Sequence, residues 1–358
     1  MVIRDEVRRL PAYDFRRHPQ PVKLDQNEAP DDPSGALSRA IAERIADLAL
    51  NRYPDLHPVD LESALAERHG WDPGGVVVAN GSNVLIQALV IAAGLGRTVL
   101  TVSPTFAVYA SQARLLGAEL VEVPLSAGFE LPEAELTRAL NGRSGVAFIA
   151  DPAAPTGNRV DPGAVARFSA AADATREWLT VLDEAYVDFV DDDHLELVRH
   201  HESVAVMRTF SKAAGLAAVR LGYLLTTAEL ARHVRKVLLP FSVGSFQVAA
   251  GLAALERRDL VRDRVEVAKS ERRRISEALA RLPSVEVFPS ATNFVLFRVP
   301  DAAALHAALL DRGVVIRRQD HLPGLQGCLR VTAGHPSEND AFLRAIESVT
   351  LERTPAHG

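Results

Sequence analysis

Lys212 is the residue of this sequence whose chemistry would be hardest to replace. The 40 basic residues include only four lysines, at positions 23, 212, 236 and 269, so arginine supplies almost all of the positive charge. A primary amine can lose its proton and condense with an aldehyde to form a Schiff base, which a guanidinium cannot do. The segment around Lys212 alone allows two interpretations, a lysine that reacts with a carbonyl group and a solvated lysine in a loop.

The neighbours of Lys212 suit a phosphorylated aldehyde held in a narrow pocket. Thr209, Ser211 and Arg220 offer two hydroxyl groups and a guanidinium, all of which can donate hydrogen bonds to a phosphate. Residues 213–215 are alanine, alanine and glycine, which leave space beside the amine. This combination favours a cofactor that carries both a phosphate and an aldehyde.

Asp183 and Tyr186 follow a buried strand and could hold the ring of such a cofactor. A carboxylate at the carboxyl end of a parallel strand lies where open α/β sheets bind ligands, and its burial is costly without a cation. A protonated pyridine nitrogen is such a cation, and Tyr186 could donate to a phenolic oxygen on the same ring. The segment from Asp183 to Lys212 is about one crossover unit long, so both can face one ligand. A capping or salt-bridging aspartate is the alternative.

The turn at residues 80–83, Asn-Gly-Ser-Asn, joins a predicted strand to a predicted helix. The backbone amides of Gly81, Ser82 and Asn83 would form an anion site at the helix N-terminus, where a phosphate would fit. By itself the turn could equally be a capped turn without a ligand. It lacks the spacing of a dinucleotide-binding or Walker phosphate loop, which argues against nicotinamide cofactors and ATP.

Composition and charge exclude several classes of protein. Hydrophobic residues make up 47% of the 358 residues, charged residues 24%, and the formal net charge is −6. This composition is typical of a globular enzyme and argues against nucleic acid as a partner. A charged N-terminus and the lack of a long apolar run indicate no signal peptide and no membrane association. The single Cys328 cannot form an intrachain disulfide, which fits a cytoplasmic location and a buried thiol.

A cluster of acidic residues and histidines could suggest a metal site. It comprises residues 191–194, Asp-Asp-Asp-His, followed by His200 and His201. The cluster has no defined ligand spacing, so a solvated loop is the favoured interpretation and no metal is predicted.

Short β-branched runs alternate with helical patterns along most of the chain. Strands are predicted at 76–79, 99–102, 146–150, 179–182, 204–207 and 223–225, with a helix at 106–116. Near-continuous apolar strands indicate a mostly parallel α/β sheet with helices on both faces. Helices at 247–255 and 260–282, strands at 294–299, 314–316 and 329–332, and a closing helix from Ser337 predict a smaller α+β domain. We expect an extended N-terminal arm at 1–35 that belongs to the small domain, a large cofactor-binding domain at 36–250 and a small domain at 251–358.

Several motifs along the whole chain resemble one enzyme family, the fold-type-I pyridoxal-phosphate aminotransferases, and within them the histidinol-phosphate aminotransferases. The motifs are NEAP from Asn27, NRYP from Asn51, GSN from Gly81, SPTFAVY from Ser103, PTG from Pro155, DEAY from Asp183, TFSKAAGLAAVRLGY from Thr209 and GCLRVTAG from Gly327. The resemblance implies a transfer of an amino group from a small-molecule donor, histidinol phosphate, to a 2-oxo acid, 2-oxoglutarate, in histidine biosynthesis.

The resemblance also implies the roles of individual residues. Lys212, Asp183 and Tyr186 are implied as the catalytic residues, with pyridoxal 5'-phosphate bound to Lys212. The remaining cofactor contacts implied are those of Gly81, Ser82, Asn83, Phe106, Thr209, Ser211, Arg220 and Tyr53. Tyr53 resembles a tyrosine that reaches the phosphate from the partner subunit, which implies a homodimer with shared active sites. Arg330 resembles the arginine that binds the substrate anion, with Arg317, Asn27 and Tyr13 as further substrate contacts.

The sequence departs from the family pattern at one position of the cofactor site. Where the family usually has PNNPTG, this chain has alanine at 153 and 154, so an asparagine amide that would donate to the ring oxygen is missing at Ala154. Three alternatives remain open. They are an aromatic amino acid aminotransferase, a pyridoxal-phosphate decarboxylase acting on a phosphorylated amino acid, and a non-catalytic ligand-binding protein.

Overall fold

The large sheet and the small sheet are formed by different parts of the chain. The computed structural model describes residues 2–11, 18–30 and 35–353. The strands are β1 (Val22–Lys23), β2 (Val76–Ala79), β3 (Thr98–Ser103), β4 (Glu119–Pro124), β5 (Gly145–Ala150), β6 (Trp178–Asp183), β7 (Val204–Thr209), β8 (Gly222–Leu225), β9 (Glu286–Val287), β10 (Phe294–Arg298), β11 (Val314–Val315), β12 (Arg317–Arg318) and β13 (Cys328–Thr332).

Thirteen α-helices are found in the described residues. They are α1 (Asp5–Arg9), α2 (Ala36–Ala46), α3 (Val59–His69), α4 (Ser82–Leu89), α5 (Val108–Leu116), α6 (Glu133–Leu140), α7 (Pro162–Thr175), α8 (Leu195–His200), α9 (Ala228–Arg235), α10 (Ser245–Glu256), α11 (Arg258–Leu279), α12 (Ala302–Asp311) and α13 (Pro336–Arg353). The predicted extended arm is therefore wrong at α1, where a short helix lies.

The seven-stranded sheet has the order β2-β8-β7-β6-β5-β3-β4, and β8 alone runs antiparallel to its neighbours. Alternate residues of a strand face opposite sides, so Val76 and Val78 enter one core while Val77 and Ala79 enter the other. Helices α3, α7 and α10 cover the first side, and α4, α5 and α9 cover the second. The predicted parallel α/β sheet with helices on both faces is confirmed.

The second, four-stranded sheet is antiparallel, with the order β12-β13-β10-β9. One face packs with α11, α12 and α13 in a separate hydrophobic core. Leu329 and Val331 of β13 point into this core, so Arg330 between them points to the opposite face, which also carries Leu296. The short β1 pairs in parallel with β11, which attaches the N-terminal segment to the C-terminal elements.

Three features of the fold were not predicted correctly. Strand β4 was missed because its residues are largely exposed and alternate with charged side chains. The predicted strand at 314–316 ends at Val315 as β11, and the next two residues form β12 in a different sheet. His194 was expected in a solvated loop, but it is buried and its Nε2 lies 2.8 Å from Asp151 Oδ2.

Among the described residues, no helix combines the length and the apolar character that a membrane crossing needs.

Candidate active site

Asp183 ends β6 at the centre of the large sheet, and its carboxylate is 5% exposed. Tyr109 of α5 donates to Oδ2 at 2.5 Å, and the Ala185 amide donates to Oδ1 at 3.1 Å. Both donors are neutral, so they do not compensate the removal of the charge from water. Burial accordingly raises the pKa of Asp183 to about 6. A cationic ligand group beside this carboxylate would be strongly favoured.

Tyr109 was not identified from the sequence, although it lies in the SPTFAVY motif. Its ring stacks on Phe148 of β5 with centroids 4.8 Å apart, and it is completely buried. Phe106 lies three residues earlier, before the start of α5, and contacts the Tyr109 ring edge-to-face with centroids 5.7 Å apart. The available signal was the spacing, because the predicted helix at 106–116 would place these two aromatic residues on one side. Tyr109 therefore holds both Phe106 and the Asp183 carboxylate in place.

Lys212 follows β7, the strand that pairs with β6, so the predicted approach of Lys212 to Asp183 at neighbouring strand ends is found. The Lys212 side chain is partly buried, and its Nζ donates to the carbonyl of Gln26 at 3.1 Å. The loop turns at Gly215, where φ is +69° and the amide donates back to the Lys212 carbonyl. Burial, assisted by the positive charge of Arg330, lowers the pKa of Lys212 to about 8. A substantial fraction of the amine is thus neutral near physiological pH.

The turn before α4 and Arg220 together form a cradle for an anion. Helix α4 begins at Ser82, directly after Gly81, whose φ is +83°. A Cβ at Gly81 would lie 2.7 Å from Arg220 Nη2, and a Cβ at Gly222 would lie 2.4 Å from the Ser82 amide nitrogen. Glycine at both positions therefore allows the guanidinium and the helix N-terminus to approach each other. Asn83 and Arg220 are exposed, so the cradle is open to a ligand.

The hydroxyl groups of Thr209 and Ser211, beside Lys212, contribute to this cradle in different ways. Arg220 Nη1 donates to Ser211 Oγ at 3.4 Å, which places Ser211 next to the guanidinium. Thr209 donates its hydroxyl proton to the Leu221 carbonyl at 3.2 Å and accepts from the Ser211 amide at 3.1 Å. A threonine hydroxyl has one proton, so Thr209 shapes the loop, while Ser211 Oγ lies beside the Arg220 guanidinium.

Tyr186 lies beside Lys212 and is held by a residue of the N-terminal segment. The Nδ2 of Asn27 donates to Tyr186 Oη at 2.7 Å, and the Lys212 Nζ is 5.8 Å from the centre of the Tyr186 ring. Burial raises the pKa of Tyr186, so its hydroxyl keeps its proton at neutral pH. Ala154, where the family pattern has asparagine, packs in the same hydrophobic cluster as Tyr186 and Phe294.

Two arginines of the small sheet face the same region. Arg330 of β13 is directly opposite Arg317 of β12 in the strand register, so the two side chains share one face of the sheet. The Arg330 guanidinium lies 5.2 Å above the Phe294 ring, and its Nη2 donates to the carbonyl of Asp25 at 3.0 Å. Two guanidinium groups on one face of a sheet can together bind a carboxylate or a phosphate.

Two other predicted site residues lie apart from this cluster. Tyr53 is 85% exposed, and its ring packs against Phe241 with centroids 5.2 Å apart. Tyr13 lies outside the described residues.

Two acidic residues of the cluster at 191–194 form ion pairs with arginines: Asp192 pairs with Arg159, and Asp193 pairs with the buried Arg208. Within residues 2–11, 18–30 and 35–353, no group of three potential ligands is arranged around a metal position.

The arrangement fits pyridoxal phosphate in three independent respects. The glycine-lined cradle beside Arg220 suits a phosphate, because two Cβ atoms would otherwise fill it. The buried Asp183 carboxylate suits a protonated pyridine nitrogen. The amine of Lys212, with its lowered pKa, suits an aldehyde.

Comparisons with known proteins agree with this geometry. Residues 19–346 match the family model described as aminotransferase class I and II. A histidinol-phosphate aminotransferase of Deinococcus radiodurans is 47% identical over 345 residues, which cover 96% of this chain and 95% of that protein. A protein of the same name from Methylibium petroleiphilum is 38% identical over 97% of this chain and 94% of its own length.

A solved structure gives the same result at the level of the fold. The histidinol-phosphate aminotransferase of Sinorhizobium meliloti, in complex with pyridoxal-5'-phosphate, is similar with a TM-score of 0.83 and 27% identity. The similarity covers 92% of this chain and 92% of that chain.

Proposed function

Because the chain belongs to the class I and II aminotransferases, which use pyridoxal phosphate, we propose that it transfers the amino group of histidinol phosphate to a 2-oxo acid. We expect 2-oxoglutarate as the acceptor. One observation carries the proposal: the Lys212 amine and the Arg330 guanidinium donate to the adjacent carbonyls of Gln26 and Asp25, and Lys212 follows the strand that pairs with β6, which ends at Asp183. An amine for the cofactor and a cation for a substrate anion therefore share one site.

Different residues would hold the phosphate and the ring of the cofactor. The Gly81, Ser82 and Asn83 amides at the start of α4, with Ser211 and Arg220, would bind the phosphate. At the other end, Asp183 would face the ring nitrogen. Tyr186 would donate to the ring oxygen, and Phe106 would pack on the ring. We assign Thr209 and Tyr109 positioning roles, because their hydroxyl protons are donated to Leu221 and Asp183.

Lys212 and Asp183 would perform the proton chemistry. When bound, pyridoxal phosphate supplies an aldehyde carbon and a ring that accepts electrons. Lys212 is partly neutral near pH 8, so its amine can remove a proton from the substrate carbon and return it. Asp183 would favour a protonated ring nitrogen, since a buried carboxylate strongly favours a neighbouring cation. Tyr109 holds that carboxylate in one orientation.

The paired arginines would bind the anionic end of both substrates. Histidinol phosphate carries a phosphate but no α-carboxylate, whereas a 2-oxo acid carries a carboxylate. A planar guanidinium binds either anion with two parallel hydrogen bonds. Arg330, supported by Arg317 across the strand pair, can therefore serve both half-reactions at one position.

A homodimer with shared active sites is the second part of the proposal. Large apolar side chains are exposed around Tyr53; they are Leu50, Leu56, Leu239 and Phe241. Such a group of exposed apolar side chains favours burial against a second copy. Sedimentation should give a dimer. Mixing a Lys212→Ala variant with a Tyr53→Ala variant should restore activity if each site uses residues of both subunits, and no restoration would argue against shared sites.

A half-reaction with one amino donor at a time tests the proposed substrate. The protein loaded with pyridoxal phosphate should lose its visible absorption band rapidly on addition of histidinol phosphate. The band should change more slowly with phenylalanine, because its carboxylate offers Arg317 and Arg330 less negative charge and fewer acceptor oxygens than a phosphate does. A faster reaction with phenylalanine would favour the aromatic aminotransferase, and release of carbon dioxide would favour the decarboxylase.

A further inference from the structure

Three consecutive residues of the N-terminal segment each contact a different side chain of the candidate active site. The Asp25 carbonyl accepts from Arg330, and the Gln26 carbonyl accepts from Lys212. Asn27 differs from both because its side chain is the donor, from Nδ2 to Tyr186 Oη at 2.7 Å. The direction of this bond decides where the Tyr186 proton can point.

A tyrosine hydroxyl has one proton to donate and two lone pairs that accept. Since the Asn27 amide occupies a lone pair of Tyr186, the hydroxyl proton must point elsewhere. Among residues 2–11, 18–30 and 35–353, the Asn27 amide is the hydrogen-bond partner found for this hydroxyl. The proton is therefore kept for a ligand. An accepted bond also polarises the hydroxyl and strengthens the bond that it donates.

The orientation of the Asn27 side chain follows from its contacts with Thr332. The Asn27 backbone amide donates to Thr332 Oγ1 at 2.9 Å, so the Thr332 proton needs another acceptor. Asn27 Oδ1 lies 3.4 Å from Thr332 Oγ1 and accepts this proton. Exchanging the amide nitrogen and oxygen would remove that acceptor, so Nδ2 is the atom that faces Tyr186. The backbone carbonyl of Asn27 accepts a hydrogen bond from Asn293 Nδ2 at 3.1 Å.

The backbone conformation at position 27 also favours an asparagine. Its φ is +54°, in the left-handed region that asparagine, aspartate and glycine tolerate best, and the residue is 2% exposed. Both ends of the buried Asn27 amide are bonded to the protein, one to Tyr186 and the other to Thr332. These contacts favour a role exerted through Tyr186 over the substrate contact expected from the sequence.

We propose that Asn27 is a positioning residue that holds the Tyr186 hydroxyl so that it donates its proton to the ring oxygen of bound pyridoxal phosphate. This inference depends on the proposed function, because it needs the cofactor. It assigns to the N-terminal segment a role in tuning the cofactor, exerted through Tyr186. The Tyr186 hydroxyl held by Asn27 would also supply a hydrogen-bond donor to the ring oxygen close to Ala154, where the family pattern has an asparagine amide.

Two substitutions at Asn27 test the inference with the cofactor-loaded protein. Asn27→Asp keeps the shape and tolerates the positive φ, but its carboxylate would accept the Tyr186 proton and take it from the ligand. The pH midpoint of the visible absorption band should rise by about one unit, because the anionic ring oxygen loses its donor. Asn27→Gly keeps the backbone conformation without any amide, and a smaller rise is expected.

A cycle with Tyr186→Phe separates positioning from a direct effect of charge. In the Tyr186→Phe background, Asn27→Asp should produce no further shift, because the hydroxyl through which Asn27 acts is absent. Equal shifts in both backgrounds would overturn the inference. Thr332→Val keeps the size of the side chain but removes the group that orients the Asn27 amide, so an intermediate shift is expected.

The outcomes distinguish this inference from the proposed function. Asn27→Gly and Asn27→Asp proteins that melt at lower temperature but keep the original midpoint would show a structural role only and overturn the inference alone. Absence of the visible band in the unmodified protein with added pyridoxal phosphate would overturn the proposed function and the inference with it.

Discussion

The two halves of the candidate active site are built in different ways. One half, here the sheet half, consists of Ser82, Asp183, Lys212 and Arg220, which lie at the ends of β6 and β7 and at the neighbouring start of α4. The other half, here the cap half, consists of Asn27, Arg317 and Arg330, which come from the N-terminal segment and the small sheet. The sheet half rests on two large hydrophobic cores, whereas the cap half rests on a third, separate core.

This difference separates two tasks. Groups fixed at the ends of buried strands can hold a permanently bound cofactor in one orientation. Groups on a separate sheet can serve substrates that enter and leave, and residues 25–27 connect these groups to Lys212 and Tyr186. Damage to the sheet half should therefore abolish the chemistry, and damage to the cap half should weaken substrate binding and leave the cofactor in place.

The largest effect is expected from removal of the Lys212 amine. Lys212→Ala should lower kcat by about 10⁴-fold or more, because the residue would act both as the covalent anchor and as the proton carrier. Lys212→Arg is the matched control, since it keeps the charge without a reactive amine, and it should be equally inactive. In the unmodified protein, borohydride should fix the cofactor on Lys212, as mass spectrometry of the peptides would show. A label on Lys236 would contradict the assignment.

The second effect concerns the buried charge of Asp183. Its pKa is raised from an ordinary value of 3.8 to about 6, so the folded protein without cofactor loses stability as pH rises from about 4 to 6. Asp183→Asn should therefore make the cofactor-free protein more stable by about 3 kcal/mol above pH 6, and the gain should vanish below about pH 4. The same variant should bind pyridoxal phosphate more weakly. Urea unfolding at several pH values measures the first effect, and a pH-independent difference would contradict it.

The third test addresses the cap half. Arg330→Lys keeps the charge but loses the paired hydrogen bonds, which should cost about 1.5–3 kcal/mol for each substrate anion. That corresponds to a fall of roughly 10–150-fold in kcat/KM for both half-reactions, with cofactor affinity almost unchanged. Stopped-flow measurement of each half-reaction separates them. A loss confined to the amino-donor half would mean that the two substrate anions do not share Arg330.

The smallest effect is expected at Ala154, on the boundary between the halves. Ala154→Asn would add a donor toward the ring oxygen, so the pH midpoint of the visible band should fall by about one unit. Ala154→Leu, which adds similar bulk without a donor, is the control for packing beside Tyr186 and Phe294. Equal midpoints in the Asn variant and the unmodified protein would mean that another donor, such as Tyr186 held by Asn27, already suffices.

The sheet half was largely predictable because its residues lie close together in sequence or at repeated strand ends. Apolar runs located β6 and β7, and the residue types directly after them identified Asp183 and Lys212. Tyr109 was missed because its partner is 74 residues away and nothing local indicates the contact. The antiparallel direction of β8 also left no local signal, since a buried strand has the same apolar pattern in either direction.

The cap half was predictable only through resemblance to known motifs. Asn27 meets Thr332 across 305 residues and Tyr186 across 159, contacts that depend on how two sheets pack and not on local spacing. Its positive φ is likewise invisible in the sequence, although asparagine is among the residues that tolerate it. The predicted substrate contact at Tyr13 falls outside the described residues and stays a prediction, as do the domain boundaries.

The register of β12 and β13 has a practical consequence for handling the protein. Arg317 and Arg330 are directly opposite each other, and like charges in this position repel. A dianion that binds to this face of the sheet would stabilise the folded state by mass action. Inorganic phosphate in a purification buffer would thus compete with the substrates, raising the melting temperature and lowering the apparent affinity for them. Measurements in a buffer of monovalent anions would avoid this competition.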